Sequence, residues 1–304
     1  MQHILLGRST CRVSRLGYGC WRLAGSEGVE TPTEPAEGIR AVLAAADSGI
    51  TLFDLADVYG GGRCEELFGA ALRERPGLRN ELVVAGKCGI RRAGVPSAIS
   101  PYRYDSSAAH IVVSVEASLK RMGIETLDVL MLHRPDFLME PDEVAGAFVR
   151  LHDGGKVREF GVSNFLPTQF SLLQQACPMP LVVHQVEISL AQSTALEDGT
   201  LDQCLASRMT PLAWSPLARG ALVPTPGAPR GALTDALIEA ASARGVTPAA
   251  IALAWLLRHP AGIVPLIGSI RASRIWEAVA AIEVPMDREE WYRLLTAARD
   301  RRLP

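Results

Sequence analysis

Residues 51–62 read TLFDLADVYGGG, and the rest of the chain is interpreted outward from this stretch. The run 51–55 is apolar enough for a short buried strand, and it carries the acid Asp54 near its end. Tyr59 follows five residues later, so simple strand alternation would put the two side chains on opposite faces. They converge only if the chain turns between them, and the three glycines after Tyr59 permit a turn. Taken alone, the stretch fits a solvated acid and a half-buried tyrosine as well as it fits a functional pair.

Strand-like and helix-like segments alternate eight times along the chain. The predicted strands are residues 16–21, 51–55, 81–87, 127–133, 157–163, 181–187, 210–214 and 263–267, and the predicted helices are 34–48, 64–75, 107–122, 142–153, 167–176, 198–207, 234–244 with 248–258, and 272–281. This order predicts an α/β fold, a closed (β/α)8 TIM barrel of parallel strands. We expect an N-terminal hairpin (4–6 with 11–13) at the barrel floor, an extra C-terminal helix (287–299), and one domain over residues 1–304.

Composition narrows the class of protein. The chain has 304 residues, of which 48% are hydrophobic and 21% charged, a size that suits one α/β barrel. A net charge of −2 provides no basic field for nucleic acid or an anionic membrane. No apolar run is long enough to span a bilayer and no signal peptide is visible, so we expect a cytoplasmic protein. The six cysteines are scattered without a CxxC pair, which predicts reduced thiols and no metal site.

Four reactive side chains stand at or after the ends of three consecutive predicted strands. Asp54 and Tyr59 follow the second strand, Lys87 the third and His133 the fourth. Barrel enzymes place their chemistry at these carboxyl ends. Lys87 is also one of only three lysines among 31 basic residues, which favours a site that needs a compact ammonium. The other two lysines are interpreted as ordinary surface residues, so lysine is not reserved for function.

Seven motifs follow one another in a characteristic order. They are FDLADVYG (53–60), VVAGKCG (83–89), LMLHRPD (130–136), GVSNF (161–165), HQVE (184–187), WSPL (214–217) and PLIGSIRASR (265–274). Together they resemble the aldo-keto reductase superfamily over nearly the whole chain, and within it the bacterial YdhF-like oxidoreductases. The resemblance implies a catalytic tetrad of Asp54, Tyr59, Lys87 and His133.

Physical chemistry gives each member of this tetrad a role in reducing a carbonyl. Tyr59 is the expected proton donor, although the ordinary pKa of tyrosine is near 10. An ammonium about 4 Å away is worth about 4 kcal/mol at an effective dielectric of 20, so we expect Lys87 to lower the Tyr59 pKa. Asp54 would keep Lys87 charged, and His133 would orient the carbonyl. Asp57 is a rival acid, interpreted as a loop or helix-start residue.

The hydride must come from a cofactor, and no GxGxxG fingerprint follows a strand. The resemblance implies instead a nicotinamide dinucleotide across the barrel mouth. The implied contacts are Ser163, Asn164 and Gln185 for the nicotinamide amide, Trp214 for its ring, Ser215 and Leu217 for the pyrophosphate, Gly268, Ser269, Arg271 and Arg274 for the 2′-phosphate, and Trp21 at the mouth. Many NADP-preferring relatives carry a lysine where this chain has Gly268. We therefore expect NADPH as the cofactor and leave NADH as the alternative. His184 stands where an asparagine is common in the family, and the sequence does not explain this difference.

The sequence thus predicts NAD(P)H-dependent reduction of a small aldehyde, ketone or sugar-derived carbonyl by a monomer or weak homo-oligomer. Tyr102 and Tyr104, in the loop 89–106, either line the substrate site together with the loop 218–231 or pack within their own loop. Two other functions stay open from the residues: a Schiff-base lyase that uses Lys87, and a non-enzymatic, cofactor-binding regulatory subunit.

Overall fold

The computed structural model describes residues 1–25, 34–224 and 231–299. Its strands, in chain order, are β1 (His3–Leu5), β2 (Arg12–Ser14), β3 (Gly17–Gly19), β4 (Leu52–Asp54), β5 (Val83–Cys88), β6 (Ile90–Arg91), β7 (Arg103–Tyr104), β8 (Leu127–Leu132), β9 (Val157–Ser163), β10 (Leu181–Glu187), β11 (Thr210–Trp214) and β12 (Val264–Ile267). Eight of them close into a barrel in the order β10-β11-β12-β3-β4-β5-β8-β9, with parallel pairing throughout. The predicted barrel is confirmed.

Helices surround the barrel and occupy the connections between its strands. They are α1 (Pro35–Asp47), α2 (Arg63–Glu74), α3 (Ala108–Met122), α4 (Pro141–Asp153), α5 (Pro167–Ala176), α6 (Thr200–Ser207), α7 (Ala232–Ser242), α8 (Pro248–Leu257), α9 (Ala272–Val279) and α10 (Arg288–Arg299). Local chemistry fixes several starts: the Ser107 hydroxyl accepts from the His110 N–H, and the Thr247 hydroxyl accepts from the Ala250 N–H. Among the described residues, no helix has the length and apolar character needed to cross a membrane.

The hairpin of β1 and β2 covers the amino-terminal end of the barrel. Its backbone is tied there by the Gly7 N–H, which donates to the Thr210 hydroxyl at the start of β11 over 2.8 Å. Leu6 and Val13 are fully buried and pack among the inward-facing residues of the barrel strands. The hairpin pairs one residue away from the predicted ranges. The hairpin covers this end, whereas the carboxyl ends of the strands surround an open cleft.

Several predicted strands are shorter in the structure, and the difference is largest for the first strand of the barrel. Pairing of β3 ends at Gly19, and the chain then enters a 3₁₀ turn, Cys20–Arg22. The apolar run 16–21 therefore does not continue as a strand to Trp21. The turn places Trp21, which is 40% exposed, at the rim of the barrel.

Candidate active site

The carboxyl ends of the strands surround a cleft of about 390 Å³. Of the four residues predicted to be catalytic, Asp54, Tyr59 and His133 line it, while Lys87 is buried beneath its surface. The cofactor-binding predictions that line the same cleft are Trp21, Ser163, Asn164, Gln185, Trp214, Ser215, Leu217, Gly268, Ser269 and Arg274. The structure thus brings together the groups that the sequence placed on separate strand ends.

A buried ion pair lies at the bottom of the cleft. The Lys87 ammonium donates to Asp54 Oδ1 over 2.5 Å, and Gln185 Nε2 donates to the same oxygen over 2.7 Å. All three side chains are almost inaccessible to solvent. Burial lowers the pKa of Lys87 from its ordinary 10.5, and the Asp54 carboxylate opposes that change. The carboxylate therefore holds the ammonium in place and compensates its charge.

Tyr59 reaches this ion pair because the chain turns immediately after β4. The Tyr59 N–H donates to the Ala56 carbonyl, and the three glycines that follow have φ between 57° and 95°. L-residues with side chains rarely adopt such values. The Lys87 ammonium lies 4.9 Å from the centre of the Tyr59 ring, and the His133 ring meets that ring edge-on at 5.7 Å. Within the described chain, the Tyr59 hydroxyl makes no hydrogen bond, so it is available to a ligand.

The expected lowering of the Tyr59 pKa is wrong for this structure. Burial raises the pKa of Tyr59 well above 10, the Asp54 carboxylate raises it further, and Arg134 acts in the opposite direction. The prediction counted the Lys87 charge but neither the burial nor the carboxylate that compensates it. Burial also holds the pKa of His133 well below 6.5, with help from the charges of Lys87 and Arg134. At neutral pH the site therefore presents a neutral phenol and a neutral imidazole.

A chain of polar side chains runs along one wall of the cleft. Asn164, with φ of 60°, donates to the Ser163 hydroxyl over 2.8 Å and accepts from Trp214 Nε1 over 2.9 Å. These contacts fix the amide of Asn164 and the plane of the Trp214 ring. Trp214 and Ser215 stand at the end of β11, where Ser215 also has a positive φ of 50°. This wall combines amide and hydroxyl groups with a broad aromatic surface.

The far end of the cleft lies where β12 leads into α9. Ser269 and Arg274 line the cleft here, and the Ser269 carbonyl accepts from the Tyr18 hydroxyl over 3.0 Å. A Cβ atom added to Gly268 would lie 3.3 Å from the Gly19 carbonyl oxygen, so the two strand ends approach closely. Arg271 is exposed at the start of α9 and is absent from the cleft wall; its N–H donates to the Ser269 hydroxyl. Of the two arginines predicted for the 2′-phosphate, the structure brings only Arg274 to the cleft.

Three further arginines and one acid line the cleft and were missed from the sequence. They are Arg22, Arg134, Arg219 and Glu277. The signal was present for two of them: Arg22 directly follows Trp21, and Arg134 directly follows His133 in the HRPD motif. In both cases the arginine is the neighbour of a predicted site residue at a strand end.

The aromatic residues of the loop 89–106 pack with one another. Tyr102 and Tyr104 meet edge-on at 6.0 Å, and Tyr104 approaches Phe137 at 6.5 Å. Neither tyrosine lines the cleft. In the second predicted loop, Gly220 and Val223 do line the cleft, whereas residues 225–230 lie outside the described residues. The structure therefore favours packing over substrate contact for the two tyrosines.

Two other residues singled out from the sequence lie outside the cleft. Asp57 is partly buried, and burial raises its pKa to about 6 against the effect of a Ser114 hydrogen bond. His184 is fully buried in β10, and burial lowers its pKa to about 4 against the opposing effect of a hydrogen bond with the Phe165 backbone. All six cysteines are buried and unpaired.

Comparison with known proteins agrees with this geometry. The sequence profile of the Aldo/keto reductase family matches residues 15–298. The chain is 42% identical to a 6-dehydroglucose reductase of Agrobacterium fabrum over 98% of both chains, and 38% identical to the oxidoreductase YdhF of Escherichia coli over 98% of both chains. The structure of a glycerol dehydrogenase from Gluconobacter oxydans matches with a TM-score of 0.86 at 27% identity, covering 99% of this chain and 97% of that chain. This chain therefore belongs to the aldo/keto reductase family of carbonyl-reducing oxidoreductases.

Proposed function

We propose that this enzyme reduces a small aldehyde or ketone with NADPH, and that Tyr59 delivers the proton. The observation that carries the proposal is the convergence of Tyr59, His133 and the Asp54–Lys87 ion pair at the bottom of one cleft. Carbonyl reduction needs a proton at oxygen and a hydride at carbon. A phenol and an imidazole that share one end of a cleft provide the oxygen side of this reaction.

Tyr59 and His133 have complementary tasks in the proposed mechanism. The Tyr59 hydroxyl, protonated at neutral pH, donates its proton to the carbonyl oxygen. The neutral His133 ring donates a hydrogen bond to the same oxygen and so orients the carbonyl. As negative charge develops on the Tyr59 oxygen, the Lys87 ammonium, 4.9 Å from the ring centre, stabilises it. Asp54 keeps Lys87 aimed throughout.

The residues of the cleft fit a nicotinamide dinucleotide, which supplies the hydride when it is bound. Ser163, Asn164 and Gln185 offer amide and hydroxyl groups beside the exposed face of Trp214. At the other end, the close approach of Gly19 and Gly268 leaves a backbone cradle that a side chain would fill. These residues would hold the nicotinamide amide and the phosphates, respectively.

The preference for NADPH is proposed from the charge at the α9 end of the cleft. Arg274 is exposed there, lines the cleft, and makes no ion pair within the described residues. A 2′-phosphate would give this guanidinium a counterion, whereas NADH has none to offer. Ser269 lines the same wall and provides a hydroxyl donor.

We propose a sugar-derived carbonyl as the substrate class. Two relatives, from Agrobacterium fabrum and Novosphingobium aromaticivorans, are named 6-dehydroglucose reductase and are 42% and 40% identical to this chain. A substrate with several hydroxyl groups suits a cleft whose catalytic end contains the arginine Arg134, whose guanidinium donates hydrogen bonds.

The two alternative functions fit the site less well. A Schiff-base lyase needs a lysine amine that reaches the substrate, but Lys87 is 1% exposed and paired with Asp54. A regulatory subunit without enzymatic activity has no use for the Tyr59 and His133 pair. No observation favours either of them.

Oxidation of NADPH and of NADH, followed by absorbance with a panel of aldehydes, ketones and oxidised sugars, tests the proposed function. We expect turnover with at least one carbonyl and a higher kcat/KM for NADPH. Tyr59→Phe should bind NADPH normally and lose reduction by at least about 100-fold, the usual scale for a general acid. Rates within a few-fold of the parent would remove Tyr59 from the mechanism.

A further inference from the structure

The cleft is lined by more basic than acidic side chains. Its lining includes Arg22, Arg134, Arg219 and Arg274, but only two acids, Asp54 and Glu277. Asp54 is already compensated by Lys87. Across residues 1–25, 34–224 and 231–299, none of the four arginines forms a salt bridge with a carboxylate. This surplus stands out in a chain with a net charge of −2.

Three of the four arginines can be assigned to a part of the cleft by their positions in the fold. Arg274, at the start of α9, and Arg219, in the loop after β11, lie on the part of the wall proposed for the cofactor phosphates. Arg134 directly follows His133 at the end of β8, so its place is at the catalytic end. The charge of Arg134 acts on both Tyr59 and His133, which agrees with that position.

Arg134 is held in the cleft without a counterion among the described residues. Its guanidinium carbon lies 5.8 Å from the centre of the Trp214 ring, and the side chain is partly buried. The nearest acid in sequence, Asp136, is occupied elsewhere, because its two carboxylate oxygens accept from the Ser106 and Leu138 N–H groups. A partly desolvated cation with an aromatic support, and with no acid beside it in the part of the chain that the structure describes, is arranged to bind an external oxyanion.

A second arginine–tryptophan pair lies at the rim of the cleft. The Arg22 guanidinium lies 6.0 Å from the centre of the Trp21 ring, and both residues line the cleft. Arg22 follows β3, which β4 and β5 separate from β8 in the barrel. The entrance on both sides of Tyr59 is therefore positively charged, which favours the approach of anions.

We propose that the substrate of this enzyme is a small carbonyl compound that also carries a phosphate or carboxylate group, and that Arg134 binds this group beside Tyr59 and His133. This inference rests on the proposed carbonyl reduction and adds that the substrate is an anion. Phosphate and carboxylate both offer two anionic oxygens that a guanidinium can bind in a bidentate manner. The oxidised sugars that fit are therefore sugar phosphates and sugar acids.

Two matched pairs of aldehydes separate the effect of negative charge from that of the carbon skeleton, because the members of each pair have the same number of carbon atoms and differ in charge. They are glyceraldehyde against glyceraldehyde 3-phosphate, and butanal against succinic semialdehyde. For the parent, we expect kcat/KM for the anion to exceed that of its neutral partner at least tenfold in one pair. Arg134→Gln should reduce that ratio ten- to a hundredfold, mainly through KM, and Arg134→Lys should restore part of it. Arg150→Gln makes the same charge change at the end of α4, away from the cleft, and should keep the ratio.

Further outcomes would overturn the proposal. Equal kcat/KM within both pairs, or a ratio that survives in Arg134→Gln, would mean that Arg134 does not bind a substrate anion. A fluorescence titration in which Arg134→Gln weakens NADPH tenfold, with the ratio unchanged, would make Arg134 a cofactor contact instead. If the protein binds NADPH but reduces none of these aldehydes and none of the wider panel, the proposed function itself fails, and this inference fails with it.

Discussion

Replacing Lys87 by methionine tests the buried ion pair without relying on activity. The Lys87 and Asp54 side chains are 0% and 5% exposed, and their charged atoms are 2.5 Å apart. At an effective dielectric of 20, the attraction over that distance is about 7 kcal/mol. The variant also removes the cost of burying the ammonium, so the net loss is smaller. Breaking a buried pair by removing one partner typically costs about 3–5 kcal/mol, and we expect Lys87→Met to lose this much stability.

A double variant shows whether Lys87→Met loses stability because the buried Asp54 carboxylate is left without a partner. In Asp54→Asn/Lys87→Met no charge is left at the bottom of the cleft, and the asparagine oxygen can still accept from Gln185. We expect the double variant to be at least about 2 kcal/mol more stable than Lys87→Met, because an unpaired buried charge is costlier than a neutral amide. If Lys87→Met instead lost stability because the side chain became smaller, the second substitution would not restore it.

The assay is urea unfolding at pH 8, followed by far-ultraviolet circular dichroism, with Lys156→Met as the matched control. The Lys156 ammonium lies 3.2 Å from Glu116 in a pair whose side chains are 41% and 50% exposed. Exposed pairs contribute about 0.2–1 kcal/mol, so this control should change the free energy of unfolding only slightly. A Lys87→Met loss as small as that of the control, or strictly additive effects in the double variant, would refute the argument.

Two further predictions concern the cofactor phosphate and the stability of the fold. Arg274→Ala should weaken NADPH ten- to a hundredfold more than NADH in a fluorescence titration, whereas Arg271→Ala, outside the cleft, should discriminate little; equal loss for both cofactors would place the phosphate elsewhere. His184 has a pKa of about 4 in the fold against an ordinary value near 6.5, so its contribution is present above pH 6.5 and is lost as the pH falls towards 4. Between pH 7 and pH 5 the free energy of unfolding should therefore fall by about 2 kcal/mol through His184 alone. His184→Leu should remove this part of the pH dependence of the urea midpoint. An unchanged pH dependence would mean that His184 titrates normally.

The barrel could be predicted because its strands are buried on both faces and therefore read as uninterrupted apolar runs. For β9, β10 and β11 the predicted boundaries match those of the structure. The prediction was too long at β3, where an apolar run includes Trp21 although pairing stops at Gly19. Hydrophobicity alone does not distinguish a strand from an apolar turn that covers the barrel rim.

The candidate site was only partly predictable, for a different reason. Strand ends converge in any barrel, so the meeting of Asp54, Tyr59 and His133 follows from their order in the chain. The Tyr59 pKa depends instead on burial and on every charge nearby, which a pairwise estimate from one lysine leaves out. Arg134 was missed because the prediction took only His133 from the HRPD motif, and the fold was needed to show that no described carboxylate pairs with its neighbour.

The two cations near Tyr59 therefore act over different distances. The Lys87 charge is compensated by Asp54 at 2.5 Å, so at longer range the pair behaves as a dipole whose field decays quickly. Lys87 can influence an oxygen a few ångströms away but contributes little to the field at the cleft entrance. Arg134 forms no salt bridge within the described chain, so its field extends into the cleft and acts on an anion that enters it. Arg134 also acts on the Tyr59 oxygen, because its charge opposes the rise of the Tyr59 pKa. Exchanging the residue at position 134 should therefore slow the reduction of neutral aldehydes to some extent and that of anionic aldehydes more strongly.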